Sequence, residues 1–205
     1  MGVYRNQVLP RIQNKVMDTK VTRAARERVC EGLHGGVVEI GFGTGLNARY
    51  YPSEVSKVLA VEPSKVCMRL AEPRLAESST PVELAGLTGE HLDLPSEAFD
   101  TVLSTWTLCT IPDVDAALSE LRRVLKPGGM FHFVEHGHSP DAGVARWQRR
   151  IEPVSKHIFG GCHITRKIPE SIQQAGFVME QLDTYYAKGD PKPFGYTFEG
   201  RAIKR

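Results

Sequence analysis

The feature that most constrains this chain is the run Val37–Ile40 passing into Gly41-Phe42-Gly43-Thr44-Gly45. A short apolar run ending in a glycine-rich turn reads as a buried strand. Leu46–Tyr51 then reads as helical, stopped near Pro52. The same rhythm recurs downstream. Lys57–Val61 reads as a second strand, and residues 64–77 as a helix that Pro73 kinks or ends. Val82–Leu84 and Thr101–Ser104 read as the third and fourth strands. Asp113–Leu125 reads as a helix capped by Asp113 or Asp115 and stopped at Lys126-Pro127-Gly128-Gly129, before a fifth strand at Met130–Glu135. Strands alternating with helices specify βαβ units and a parallel sheet.

The last third is less regular. Val144–Ile158, interrupted at Pro153, and Pro169–Ala175 read as helices around a Gly160-Gly161-Cys162-His163 loop. Phe177–Tyr186 and Tyr196–Ile203 read as strands joined through Gly189–Pro193, a closing antiparallel hairpin at one side of the sheet. At the other end, Val8, Ile12 and Val16 form one stripe of a helix, and Thr19–Cys30 reads as a second helix. Residues 1–30 carry seven Lys/Arg against Asp18 and Glu27. Such a pair of helices packs on the core, closes as a lid, or lies on a membrane surface.

Composition narrows the function. Twenty-six basic residues face 24 acidic ones, which gives no global pull toward nucleic acid. No run approaches the length of a membrane span. Cys30, Cys67, Cys109 and Cys162 form no CxxC pair and no staple framework. The expectation is a reduced, cytoplasmic domain, with peripheral membrane contact through the basic N-terminus as an alternative. The oligomeric state is left open.

The glycine turn is a ligand-binding device, because glycine lets the backbone approach a ligand and take up positive φ. Leu46 stands where a dinucleotide fingerprint needs a third glycine or alanine. The GxxxxGK[ST] phosphate loop is absent. An acidic residue, Glu39, before GxGxG fits a nucleoside with a charged amino-acid tail and no pyrophosphate. Glu62, at the end of the second strand, is placed to accept from both ribose hydroxyls. Gly86–Leu92 follows the third strand and faces an adenine edge with its backbone N–H groups and Glu90 or His91.

The series EIGFGTG, AVEPS, GEHLDLP, FDTVLS and LKPGG, over about residues 33–135, resembles the class I S-adenosylmethionine-dependent methyltransferases, methyltransferase type 11 domain. The resemblance implies an α/β doubly wound, seven-stranded, mostly parallel sheet with an antiparallel last strand and N-terminal helices. It implies one domain over 1–205: a helical segment at 1–32, a cofactor-binding core at 33–135, and acceptor-side helices with the closing hairpin at 136–205. Its implied cofactor is S-adenosyl-L-methionine, with S-adenosyl-L-homocysteine as product. By resemblance Glu39, Gly41, Gly43 and Gly45 hold the methionine moiety, Glu62 the ribose, and Gly89 and Glu90 lie by the adenine. Phe42, Asn47, Pro63, His91, Thr105 and Thr107 complete the cofactor set.

A narrower resemblance rests on Thr107-Leu108-Cys109, Phe133–His136, Trp147, Glu152-Pro153, Gly161–Arg166 and Gly200–Lys204. These look like the animal thiol S-methyltransferases, which an apolar N-terminus anchors to the endoplasmic reticulum or lipid droplets. Residues 1–30 hold no such apolar run, so that localisation does not carry over. Ser155 stands where those relatives often have a large aromatic. Quinone-ring and phospholipid methyltransferases are looser matches. A cofactor-binding protein without turnover is the alternative of another class. The partner expected is a small-molecule acceptor, with a thiol sulfur first.

Methyl transfer from a sulfonium is an in-line displacement in which alignment does much of the work. A thiol acceptor reacts as thiolate, so a base or cation beside it raises the reactive fraction. Glu135 and His136 follow the fifth strand, at the carboxyl end where ligands of such sheets bind. His136 is the first candidate to deprotonate or orient the acceptor. Trp106, Cys109, His136, Trp147, Cys162 and Arg166 are the expected acceptor pocket. For Arg166, an anionic acceptor and a helix end weigh equally. No metal is expected: His132, His136 and His138 share a face only if the strand continues, and the chemistry needs none.

Overall fold

The computed structural model describes residues 4–85 and 88–205. After a turn at Tyr4–Val8 come α1 (Leu9–Val16) and α2 (Lys20–Cys30). The sheet elements then alternate: β1 (Gly35–Ile40), β2 (Val55–Val61), α3 (Lys65–Glu77), β3 (Val82–Ala85), β4 (Phe99–Thr105), α4 (Val114–Val124) and β5 (Leu125–His136). The remainder is α5 (Ala142–Ile158), α6 (Ile168–Gln174), β6 (Phe177–Tyr186), α7 (Lys192–Gly195) and β7 (Tyr196–Lys204).

Seven strands make one sheet in the order β3-β2-β1-β4-β5-β7-β6. β1 to β5 are mutually parallel, and β7 runs antiparallel to both neighbours. This is the expected fold, with the hairpin at one side of the sheet.

Strand alternation explains the two layers. Val38, Ile40, Leu59, Val61, Val102 and Phe133 point to one face, where α4 and α6 bury Leu118, Leu121, Ile168 and Ile172. Val37, Val58, Ala60, Leu103 and Val134 point to the other, covered by Ala25, Val29 and Cys30 of α2 and Ala71 of α3. Strands apolar on both faces read as continuous hydrophobic runs, which is why they were legible. Each fully buried leucine or phenylalanine in these layers contributes roughly 1.5–3 kcal/mol.

Four expectations change. Leu46–Tyr51 holds only a 3-10 turn at Ala48–Tyr50, because the chain must reach Pro52 and enter β2 within a few residues. Pro73 and Pro153 each sit inside a continuous helix. A proline removes one backbone bond there, and packing of Ala71 and Ser155 holds the flanking turns. LKPGG forms an irregular first part of β5, with Leu125 paired to Phe99 before the register resumes at Met130–Thr101. Finally, Val8, Ile12 and Val16 do not dock α1. All three are exposed, and the helix buries Leu9 and Pro10 instead.

Among the described residues no helix is long and apolar enough to cross a membrane.

Candidate active site

The five parallel strands bring their carboxyl ends to one edge. The chain leaves β1 toward β2 and β3, then returns to place β4 on the opposite flank. The crevice outside β1 and β4 is the switch point where such sheets bind ligands.

Gly41 and Gly43 form its floor, half-exposed and at positive φ of 68° and 58°. A Cβ on Gly41 would lie 2.1 Å from Thr107 Oγ1, whereas one on Gly43 would meet nothing nearer than 3.8 Å. The turn therefore needs glycine at both places, for contact at the first and for conformation at the second. Gly45, at φ 73°, is buried against Phe42 and Ala71, so it serves helix–turn packing rather than the open floor. Phe42 is buried beside it.

Glu62 stands at the next strand end. Its Oε2 accepts from Gly43 N (2.9 Å) and its Oε1 from Ser64 N (2.7 Å). Burial raises its pKa, against those two hydrogen bonds. The carboxylate is thus held by the very turn that forms the floor. Pro63 is exposed beyond it. Gly86 and Leu87 lie outside the described residues. Gly89 is buried, with room for no Cβ beside Ile40 (2.4 Å), while Glu90 is half-buried and His91 exposed.

Glu39 is placed differently from expectation. Its side chain is fully buried beneath the turn, where Asn47 Nδ2 donates to Oε1 (2.9 Å) and the Tyr51 hydroxyl donates to Oε2. Burial raises its pKa to about 7, against the Tyr51 and Asn47 hydrogen bonds. The side chain that continues this network is one the sequence reading missed, Arg26. Its Nη1 donates to Asn47 Oδ1 (2.7 Å) and Thr105 Oγ1 (3.0 Å), and its guanidinium lies 4.8 Å from the centre of the Trp106 ring. Arg26 is only 6% exposed, and its Nε has no hydrogen-bond partner among the described residues. A buried donor without a partner costs about 1–3 kcal/mol. The sequence signal was a cation at α2 position 26, on the face it shares with Val29 and Cys30.

These features fit S-adenosylmethionine: a glycine floor, a carboxylate for the ribose hydroxyls, and a buried guanidinium for the carboxylate of its methionine tail.

At the other side of the crevice, Trp106 follows β4 at φ 50°, a conformation that bulky side chains rarely adopt. The strained turn swings its ring between Arg26 and His136, 6.2 Å from the latter's ring centre. Thr107 Oγ1 donates to Thr105 O (3.1 Å) and Gly41 O (3.4 Å), joining this turn to the glycine floor.

Glu135 is an anchor for that turn. Its Oε1 accepts from Ser104 Oγ (2.7 Å), Thr107 N (2.9 Å) and Leu108 N (3.0 Å), and its Oε2 from Cys109 N (3.3 Å). Fully buried with donors on both oxygens, it has no face for an acceptor, so the expected catalytic part is replaced by a positioning one. His136, one residue on, is half-exposed. A ring nitrogen of His136 and the sulfurs of Cys109 and Cys162 all lie within 4.8 Å of one another. The hydrogen bond from Cys109, with His136, lowers the Cys162 pKa against burial, and the same pairing raises that of Cys109. Ile151, Ile164 and Phe194 pack around the two cysteines.

Two pocket expectations are corrected. Trp147 is 57% exposed on α5, with the Arg150 guanidinium 5.8 Å from its ring, because the inward face of that turn is taken by Ala145 and Gln148. Arg166 spends Nη1 on Leu108 O and on Ile111 O (2.8 Å), so it stitches the turn after β4 rather than offering a free cation. His132 turns away to Val29 O (2.9 Å through Nδ1), and His138 hydrogen-bonds through its backbone to Arg166 O (2.9 Å). The three histidines do not converge.

Residues 38–133 match the model of a family described as a methyltransferase domain. Thiol S-methyltransferase TMT1B of Rattus norvegicus is 34% identical over 82% of this chain and 70% of its own length. Phosphatidylethanolamine N-methyltransferase of Cereibacter sphaeroides is 32% identical over 65% of this chain and 69% of its own. The crystal structure of an S-adenosylmethionine-dependent methyltransferase from Aquifex aeolicus superposes with a TM-score of 0.67 at 17% identity, covering 96% of this chain and 98% of that one, which shows the shared fold. With a fold, a crevice and a cofactor cradle in agreement, the chain belongs to the methyltransferase domain family and is an S-adenosylmethionine-dependent enzyme.

Proposed function

We propose that this enzyme methylates the sulfur of a small, fairly apolar thiol, releasing the thioether and S-adenosylhomocysteine. The observation that carries the reading is the half-exposed His136 at the carboxyl end of β5, beside Trp106 and the buried Cys109–Cys162 apolar cluster. Relatives named as thiol S-methyltransferases support it. When bound, the cofactor supplies a methyl group on a sulfonium.

The chain's own residues then divide the work. Glu62 and Arg26 fix the two ends of the cofactor. Glu135 fixes the 107–109 turn and so the side of the crevice that the acceptor enters. Trp106 and the apolar cluster exclude water, and His136 orients the acceptor and favours its thiolate. Alignment of this kind is worth roughly 7–11 kcal/mol of barrier.

The test is release of S-adenosylhomocysteine from purified protein across small thiols, quinols and phenols. Thiol-dependent release is expected. Silence with thiols and release with quinols would discard the thiol assignment and keep the enzyme class.

We further propose peripheral membrane contact by α1. The exposed stripe Val8, Ile12 and Val16, with Arg11 and Lys15 on the same helix, supports it. Co-sedimentation with anionic liposomes, reduced by Ile12→Glu, is the expected result.

A further inference from the structure

Three soft donors meet at the acceptor end: Cys109 from the turn after β4, His136 from the end of β5, and Cys162 from the loop between α5 and α6. Their ligand atoms already lie within 4.8 Å of one another. Around a tetrahedral ion with Zn–S near 2.3 Å, ligand atoms stand about 3.8 Å apart, so a small side-chain adjustment closes the set.

The backbone behind the donors is fixed. Cys109 N donates to Glu135 and Cys109 O accepts from His163 N (2.7 Å), which ties the two cysteine segments directly together. Cys162 O accepts from Ser155 Oγ (3.4 Å). Both cysteines are buried and His136 is half-exposed, so a centre held here is closed on the sulfur side and open toward the crevice.

The charge balance is also suitable. Two thiolates neutralise a divalent ion, so the Arg166 guanidinium behind Leu108 and Ile111 carries no repulsive cost. A nitrogen-and-sulfur donor set selects zinc over the oxygen-loving magnesium and calcium. Three protein ligands with a vacant fourth position is the pattern of catalytic rather than structural zinc.

We propose that Cys109, His136 and Cys162 form a zinc site whose open position takes the sulfur of the acceptor thiol. This rests on the thiol reading and specifies how His136 favours the thiolate. The acceptor R–SH gives up its proton to solvent on coordination. Its sulfur lone pair then forms the bond to the methyl carbon, while the carbon–sulfonium electron pair stays on the departing sulfur of S-adenosylhomocysteine. The thioether product is neutral and a weaker ligand than a thiolate, so it leaves.

The experiment is Co2+ titration of the full-length, chelator-stripped protein, read in the absorption spectrum. A thiolate-to-cobalt charge-transfer band with intense tetrahedral visible bands is expected. Zn2+ displaces it, and added thiol acceptor shifts the visible bands. Losses of outer hydrogen-bond partners already cost about 10–100-fold in metal affinity, so C162S and H136Q are expected to weaken binding by more than about a hundredfold. C67A, a sulfur outside the trio, retains it. Absence of the charge-transfer band in the wild-type protein, or its survival in C162S, overturns the site. A separate arm protects the thiol reading. If stripped protein with chelator present methylates thiols at the rate of zinc-loaded protein, the zinc proposal falls and thiol methylation stands; if neither form methylates thiols, the reading beneath it falls.

Discussion

The cofactor end and the acceptor end of the crevice are built in opposite ways. At the cofactor end, backbone does most of the shaping: Gly41 and Gly43 at positive φ, with Glu62 gripped by Gly43 and Ser64 N–H groups. At the acceptor end, side chains from three separate elements do it, and His136 is half-exposed among sulfurs. Trp106 stands between the two, with Arg26 on one side and His136 on the other. A ligand common to a whole family suits an invariant backbone cradle. An acceptor that differs between relatives suits side chains that can change without disturbing the turn. The difference teaches that binding and acceptor choice can fail separately.

The largest expected effect is at the acceptor end. His136→Ala is expected to lower kcat/KM for a thiol by about 10²-fold or more while cofactor affinity stays within about twofold. Wild-type turnover at saturating thiol and neutral pH would refute the role of His136. Glu62→Ala should do the reverse, weakening cofactor binding by more than about tenfold in calorimetry, since a carboxylate with charge-assisted hydrogen bonds is removed. Unchanged binding would refute the ribose assignment. Arg26→Met is expected to lower cofactor affinity about tenfold and to be poorly rescued by Arg26→Lys, because a lysine cannot reproduce the fork that meets Asn47 and Thr105.

His132 sharpens the comparison from the core, outside both ends. Burial lowers its pKa from 6.5 to about 4, opposed by the hydrogen bond to Val29 O. A base held below its unfolded pKa contributes stability in full above pH 6.5. That contribution is lost as pH falls from 6.5 to about 4, by up to about 3 kcal/mol in all. His132→Asn should flatten the dependence of urea-unfolding stability on pH across this window without moving cofactor affinity. An unchanged acid limb would mean that His132 is not the titrating group. The smallest effect belongs to Trp147→Ala. An exposed ring over Arg150 touches neither end, so kcat and KM should both stay within about twofold, about the range of neutral surface changes. A large rise in KM would return Trp147 to the acceptor pocket.

Much of the site's first half was legible because the signals are local. Glu62 follows a strand end in sequence as in space, and its backbone partners Gly43 and Ser64 come from turns that the residues themselves announce. Arg26 was not legible as a site residue. Its partners lie 21 and 79 positions away, and only the packing of α2 against β5 and the Ala48–Tyr50 turn brings them together. Glu135 and His136 looked alike in sequence. Strand alternation alone sends one inward to four donors and the other to the crevice edge.

What the sequence determined by itself is therefore the alternation of apolar runs and turns, which specifies βαβ units, and the glycine floor, because periodicity and allowed φ are properties of neighbouring residues; the order of the strands in the sheet is the structure's. The tertiary structure alone decided that Arg26 is buried beside the glycine turn against Asn47 and Thr105, that Trp147 faces solvent, and that the ligand atoms of Cys109, His136 and Cys162 lie within 4.8 Å of one another. Such meetings depend on how helices cross the sheet, and residues 109 and 162 carry no mark of each other until the loop after α5 meets the turn after β4.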